Sequence, residues 1–264
     1  MKPQRLVNGF KWLNIVFLGF AAICSSLYWS FQYPNYRDGR KYLENNVQRI
    51  VENQEQKLHI KHAGMPKVSY TLFFPSILDF RPQALTYDAE YDWKTNTLYF
   101  NPLRIRTPQE TLTNKVARTM MGIDEDVNID CVVEHEFGHV YADFTSERLR
   151  TENIWPGNIK RFTDNIAYNI ASEGMAENSV VSCDNDERHK GFGKLPNLNP
   201  SLFDDRPNPY SIGYHLVQPL VKEFGLQRIV EYIVQHPLQR EDLANLTAYQ
   251  AQAKRVLNGL IQSR

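Results

Sequence analysis

The sequence predicts an α+β protein: an N-terminal transmembrane helix, then a small mixed or antiparallel sheet with an edge strand at a cleft, then a mainly helical half. Three observations predict it. An uncharged apolar run near the N-terminus is long enough to cross a bilayer. Two runs before Pro102 are rich in Tyr, Thr, Phe and Leu, the composition of strands. From about Gln109 onward, apolar residues recur at helical spacing. The 264 residues, 42% hydrophobic and 23% charged, suffice for a full core. Thirty Lys and Arg are balanced by thirty Asp and Glu, which removes the basic footprint of a nucleic-acid binder.

The apolar run is "WLNIVFLGFAAICSSLYW", Trp12 to Trp29, with an indole at each end where a bilayer interface places aromatic rings. It reads as an uncleaved anchor over Trp12–Tyr33, a cleaved signal peptide being the alternative. Lys2, Arg5 and Lys11 before it are matched by Arg37, Arg40 and Lys41 after it. Charge therefore barely orients the span, and an extracytoplasmic domain is the default for a single N-terminal anchor. Residues 1–11 form a flank, 12–33 the anchor, 34–66 a linker helix and 67–264 the main domain. The linker is read as a helix because Leu43, Val47, Ile50 and Val51 fall on one face among charged residues.

"KVSYTLFF", Lys67 to Phe74, and "LTYDAEYDWKTNTLYFNP", Leu85 to Pro102, read as strands, the second a hairpin turning at Lys94-Thr95-Asn96. The stretch Cys183 to Pro209 is the only long irregular one, and a connection of that length is a lid or a mobile insertion. Of three cysteines, Cys24 lies in the apolar run, and Cys131 and Cys183 remain to pair or stay free.

Chemistry concentrates in "CVVEHEFGHVYAD", Cys131 to Asp143. His135 and His139 are four residues apart, so on a helix both imidazoles leave one face a turn apart and can share one zinc ion, with Glu136 following toward the cleft. Ile129, Val132, Val133, Phe137 and Val140 form an apolar stripe that buries this helix. The bland alternative is a set of hydrogen-bonded core residues. Cys131 is read as packing, because three ligands in line along one helix cannot converge on a tetrahedral metal. A catalytic zinc takes three protein ligands. In "NIAYNIASEGMAENSVV", Glu173 and Glu177 share a face with apolar residues Phe162, Ile166, Ile170 and Val180, an expensive place for carboxylates without a partner. Glu173 is the candidate third ligand, and Glu177 can accept a hydrogen bond from a ligand histidine. A broad polar face with two solvated glutamates is the alternative there.

These residues resemble the gluzincin metallopeptidases, the superfamily of thermolysin and aminopeptidase N. The resemblance rests on His135-Glu136-Phe137-Gly138-His139, on Glu173-Gly174-Met175-Ala176, and on "NPYSIGYHLVQPLVKEFG", Asn208 to Gly225, and it covers roughly Tyr91 to Gly225. It implies a zincin-like helical half with one zinc on His135, His139 and Glu173, and Glu136 as the general base. It also implies an oxyanion donor from Tyr210-Ser211-Ile212-Gly213, where Tyr214 is the rival to Tyr210. A peptide or protein substrate would add as a strand along Thr97 to Asn101. Two departures matter: Glu177 stands where thermolysin has Asp, and the Gly-x-Met-Glu-Asn motif of aminopeptidases is missing before His135, which favours an endopeptidase. Rival readings are a membrane-tethered zinc-binding interaction protein with little turnover and a zinc hydrolase of a non-peptide amide. Retention of Glu136 argues against the first, since a purely structural zinc needs no base. Asp143 is read as a surface or capping residue, and His189, His215 and His236 as scattered residues without a ligand role.

Overall fold

The computed structural model describes residues 33, 36–71, 88–102, 128–149, 162–184, 189, 195 and 208–262. The chain forms helix α1 over 36–58, strands β1 (Lys67–Tyr70), β2 (Ala89–Asp92) and β3 (Thr97–Phe100), and helices α2 (Ile129–Leu149) and α3 (Phe162–Glu177). Helices α4 (Pro209–Phe224), α5 (Leu226–Gln235) and α6 (Leu246–Gln262) complete it.

Two expectations are corrected. The described residues are mostly helical, and the sheet is a minor element of three four-residue strands, shorter than the sequence runs suggested. No helix among the described residues is long and apolar enough to cross a membrane; α2, at 21 residues, carries Asp130, Glu134, Glu136, Asp143, Glu147 and Arg148. The anchor expected over Trp12–Tyr33 lies, apart from Tyr33, outside the described residues. The single-pass membrane location and the extracytoplasmic placement built on it are therefore without support. Most of Cys183–Pro209 and the chain from Leu103 to Val127 also lie outside them.

The hairpin forms where the sequence placed it. Asp92 organises the turn by accepting from the Lys94 backbone N–H at 3.0 Å and the Thr95 hydroxyl at 2.7 Å. Asn96 takes the left-handed conformation, φ 46°, which Asn tolerates because its short polar side chain bonds locally. The strand order is β1-β3-β2, with β1 parallel and β2 antiparallel to β3. Thr97–Phe100 is therefore the central strand, and the expected substrate edge at Thr97 to Asn101 is corrected: both of its sides are paired. Within this sheet β2 is an edge, and the Tyr91 hydroxyl donates to Asp143 on α2 at 2.8 Å. Asp143 thus ties the hairpin to α2.

The segment expected to be a linker belongs to the core. Leu43, Val47, Ile50 and Val51 of α1 pack with Leu98 and Phe100 of β3 and with Ile129, Val133, Phe137 and Val140 of α2. Gln54 is fully buried and donates to the carbonyls of Glu134 (2.7 Å) and Ser179 (2.9 Å). Tyr141 and Ala142, on the other side of α2, join a second core with α3 to α6. The central helix is thus clad on two sides, by α1 and β3 on one and by α3 to α6 on the other.

Close crossings set the helix positions. A Cβ on Gly138 would strike Ser179 Oγ and Ala176 Cα, so the glycine inside the His-Glu-Phe-Gly-His run lets α2 lie against α3. Gly174 and Gly213 meet backbone to backbone where α3 crosses α4. In α4, Pro219 removes the N–H that would reach the carbonyl four residues back. The Gln250 amide of α6 supplies donors there instead, at 3.4 Å to His215 O and 2.8 Å to Leu216 O.

Cys131 and Cys183 form a disulfide that joins the first turn of α2 to the segment after α3. Glu134 holds the same segment: its carboxylate accepts from the N–H groups of Val181 and Ser182, each at 2.8 Å, and from the Ser182 hydroxyl at 2.6 Å.

His62 carries a pH prediction. Its ring lies edge-on to Phe137 and Tyr141, its Nδ1 has no hydrogen-bond partner, and burial pushes its pKa from 6.5 down to about 4. The unfolded chain takes up this proton first, so stability is whole above pH 6.5 and falls as pH drops toward 4. The loss at pH 5 is about 2 kcal/mol. Urea midpoints of wild type and His62→Leu at pH 7.5 and 5 should show a smaller drop in the variant by that amount. Equal drops would mean that His62 is already charged in the fold.

Candidate metal centre

α2 and α3 bring together the three residues singled out as ligands. His135 Nε2 lies 3.1 Å from Glu173 Oε2, and His139 Nε2 lies 3.5 Å from the same oxygen. One donor atom from each of the three falls within 4.8 Å of the others, and among the described residues this is the group able to hold a metal ion. Glu173 Oε2 is buried and has no hydrogen-bond partner of proper geometry despite two ring nitrogens close by. Nε2 of both imidazoles and Oε2 of Glu173 thus face one another at short range, an arrangement that a shared positive charge, a proton or a metal ion, relieves.

The remaining ring nitrogens are occupied. His135 Nδ1 is 3.2 Å from Glu177 Oε1, and His139 Nδ1 is 3.0 Å from Ser172 Oγ. An ionised carboxylate only accepts, so Glu177 accepts a hydrogen bond from the Nδ1–H of His135, and Nε2 is the nitrogen that faces Glu173. The longer arm of Glu177 therefore reaches the histidine from α3.

Electrostatics match this geometry. Burial by itself lowers His135, but the close carboxylates of Glu173 and Glu177 carry it up to about 10. Burial raises Glu173, and the neighbouring His139 and His135 outweigh it and take its pKa down to about 2. In the metal-free chain a proton therefore does part of the work of a cation here, and a metal must displace it. Burial raises the pKa of Glu136, only partly offset by His139 and His135.

The structure separates the two tyrosines. The Tyr210 ring is 5.8 Å from the His135 ring and 40% exposed, held in the first turn of α4 by the Asn208 cap. Tyr214 is buried, accepts from the Gln218 amide at 2.8 Å and stacks on His189.

Two residues that sequence reasoning set aside or missed also belong here. His189, dismissed as scattered, is buried with Nε2 2.9 Å from Glu177 Oε2, and Ser172 supports His139. Ser172 precedes Glu173 in the sequence and was legible in principle as its neighbour; His189 had no local signal, since only the fold brings it to Glu177. No known protein family, no curated protein and no solved structure matches the chain. Nothing outside the chain therefore identifies it as a gluzincin.

Proposed function

We propose that this chain is a zinc-dependent peptide-bond hydrolase of gluzincin type, acting as an endopeptidase. The convergence of His135 Nε2, His139 Nε2 and Glu173 Oε2 on one point carries the reading. Zinc bonds of about 2.0–2.1 Å at tetrahedral angles put ligand atoms roughly 3.3 Å apart. The two separations of 3.1 and 3.5 Å fit that spacing, and a set of two imidazoles and one carboxylate suits zinc.

When bound, zinc supplies Lewis acidity, which brings the pKa of a water toward neutrality and polarises a carbonyl oxygen. Glu136, buried one residue after His135, accepts the proton of the attacking water and returns it to the leaving amine. Burial shifts its pKa upward, the direction that suits a group that must both take and return a proton. The Tyr210 hydroxyl donates to the developing oxyanion, a contribution of about 3 kcal/mol for a well-placed donor. Glu177 and Ser172 hold the two imidazoles in the tautomer that presents Nε2. The substrate lies as an added strand beside β2, the sheet edge tied to α2 through Tyr91 and Asp143.

The test is metal content together with hydrolysis of a mixed peptide library by the full chain, before and after chelation. The expected result is one zinc per chain and internal cleavage that stops with the chelator and returns with zinc. A chain that binds zinc and cleaves nothing would instead be a zinc-binding interaction protein or a hydrolase of non-peptide amides. A chain that binds no zinc would make the histidine motif a look-alike.

A further inference from the structure

A hydrogen-bonded chain runs on from the metal centre into the segment after the disulfide. His135 Nδ1 meets Glu177 Oε1 at 3.2 Å. The second oxygen, Glu177 Oε2, meets His189 Nε2 at 2.9 Å. His189 Nδ1 then meets Ser211 Oγ, in the first turn of α4, at 3.1 Å. Glu177 is 1% exposed, His189 6% and Ser211 8%. His189 is held on two further sides: its backbone carbonyl accepts from His215 Nε2 at 3.0 Å, and its ring stacks on Tyr214 with centroids 4.5 Å apart.

We propose that His189 is a positioning residue for the metal centre: by binding the far oxygen of Glu177 it fixes the carboxylate that orients His135. The proposal deepens the metal-site reading and rests on it only for its affinity readout.

The physical argument starts from burial. A carboxylate so fully removed from water needs a donor on each oxygen. His135 supplies one and His189 the other. With the His189 donor removed, Oε2 loses its 2.9 Å hydrogen bond, and the carboxylate is held less firmly. His135 Nδ1 then loses an acceptor of fixed position, and Nε2 is no longer aimed at Glu173. Ser211 adds the last link. Its hydroxyl on His189 Nδ1 sets the ring so that Nε2, not Nδ1, faces Glu177. A segment that looked from the sequence like a lid or an insertion thus contributes a side chain to the support of the metal ligands.

The experiment uses the full chain as wild type, His189→Leu and His189→Gln, and reads two quantities. One is zinc affinity by competition with a chromophoric chelator. The other is the slowly exchanging Nδ1–H resonance of His135 in the metal-free, 15N-labelled protein. The leucine variant should lose the resonance and bind zinc about 10–100-fold more weakly, the usual range for partners behind a ligand. The glutamine variant, whose amide still donates to Glu177, should recover both. Leucine leaving both readouts at the wild-type level would overturn the proposal, as would glutamine failing to do better than leucine. If the leucine variant does not fold, glutamine and Ser211→Ala decide. Affinity kept by glutamine and lowered by alanine supports the role, and any other pairing removes it. If the wild type binds no zinc, the hydrolase reading falls, and the resonance alone decides: lost in the leucine variant it sustains His189, and unchanged it removes it.

Discussion

Glu136→Gln should keep one zinc per chain and lower peptide hydrolysis about 10²–10⁴-fold, the usual weight of a general base. Glu136 contributes no donor atom to the group formed by His135, His139 and Glu173, so the amide leaves the ligands in place. What it removes is the capacity to take a proton. Glu136 itself is buried, beside ligand candidates that are partly exposed. The measurement is kcat alongside zinc stoichiometry on the same preparation. A variant that hydrolyses peptides at the wild-type rate would remove Glu136 from the mechanism, and one that loses zinc as well would place it among the ligands.

Glu173→Ala should lose the metal. Two imidazoles from one helix remain, and the buried anion that neutralises part of the cation's charge is gone. The affinity loss should exceed about 100-fold, the upper end for residues that only support a ligand. Zinc per chain after gel filtration reads it directly, and a full equivalent retained would sink the assignment of the third ligand. The same substitution strips His135 and His139 of the carboxylate they both face. The metal-free variant should therefore hold a proton on His135 less tightly than the wild type, whose His135 is raised to about 10 by Glu173 and Glu177. An NMR titration of the two imidazoles reads that shift.

The residues of the candidate metal centre were legible because their signal is local. Two histidines a turn apart on an apolar-striped helix, and two glutamates a turn apart on another, declare shared faces through the 3.6-residue period alone. The hairpin was legible for a similar reason, with Asp92, Thr95 and Asn96 making a turn out of adjacent residues. The errors lie where distance along the chain is involved. Helix α1 has the amphipathic pattern of a linker, but nothing local says that its apolar face meets β3 and α2. The edge was placed on Thr97 to Asn101 because composition names strands without their order, and β1 returns to cover that side.

By itself, then, the sequence determined which side chains share a face, since helical periodicity puts His135 with His139 and Glu173 with Glu177 before any folding. Tertiary structure alone decided how these pairs meet. Gly138 lets α2 press on α3, the order β1-β3-β2 puts β3 in the centre and β2 at one edge, and His189 reaches Glu177 from twelve residues away. Each of these depends on backbone approach between segments far apart in sequence, and no pattern of neighbouring residues encodes that.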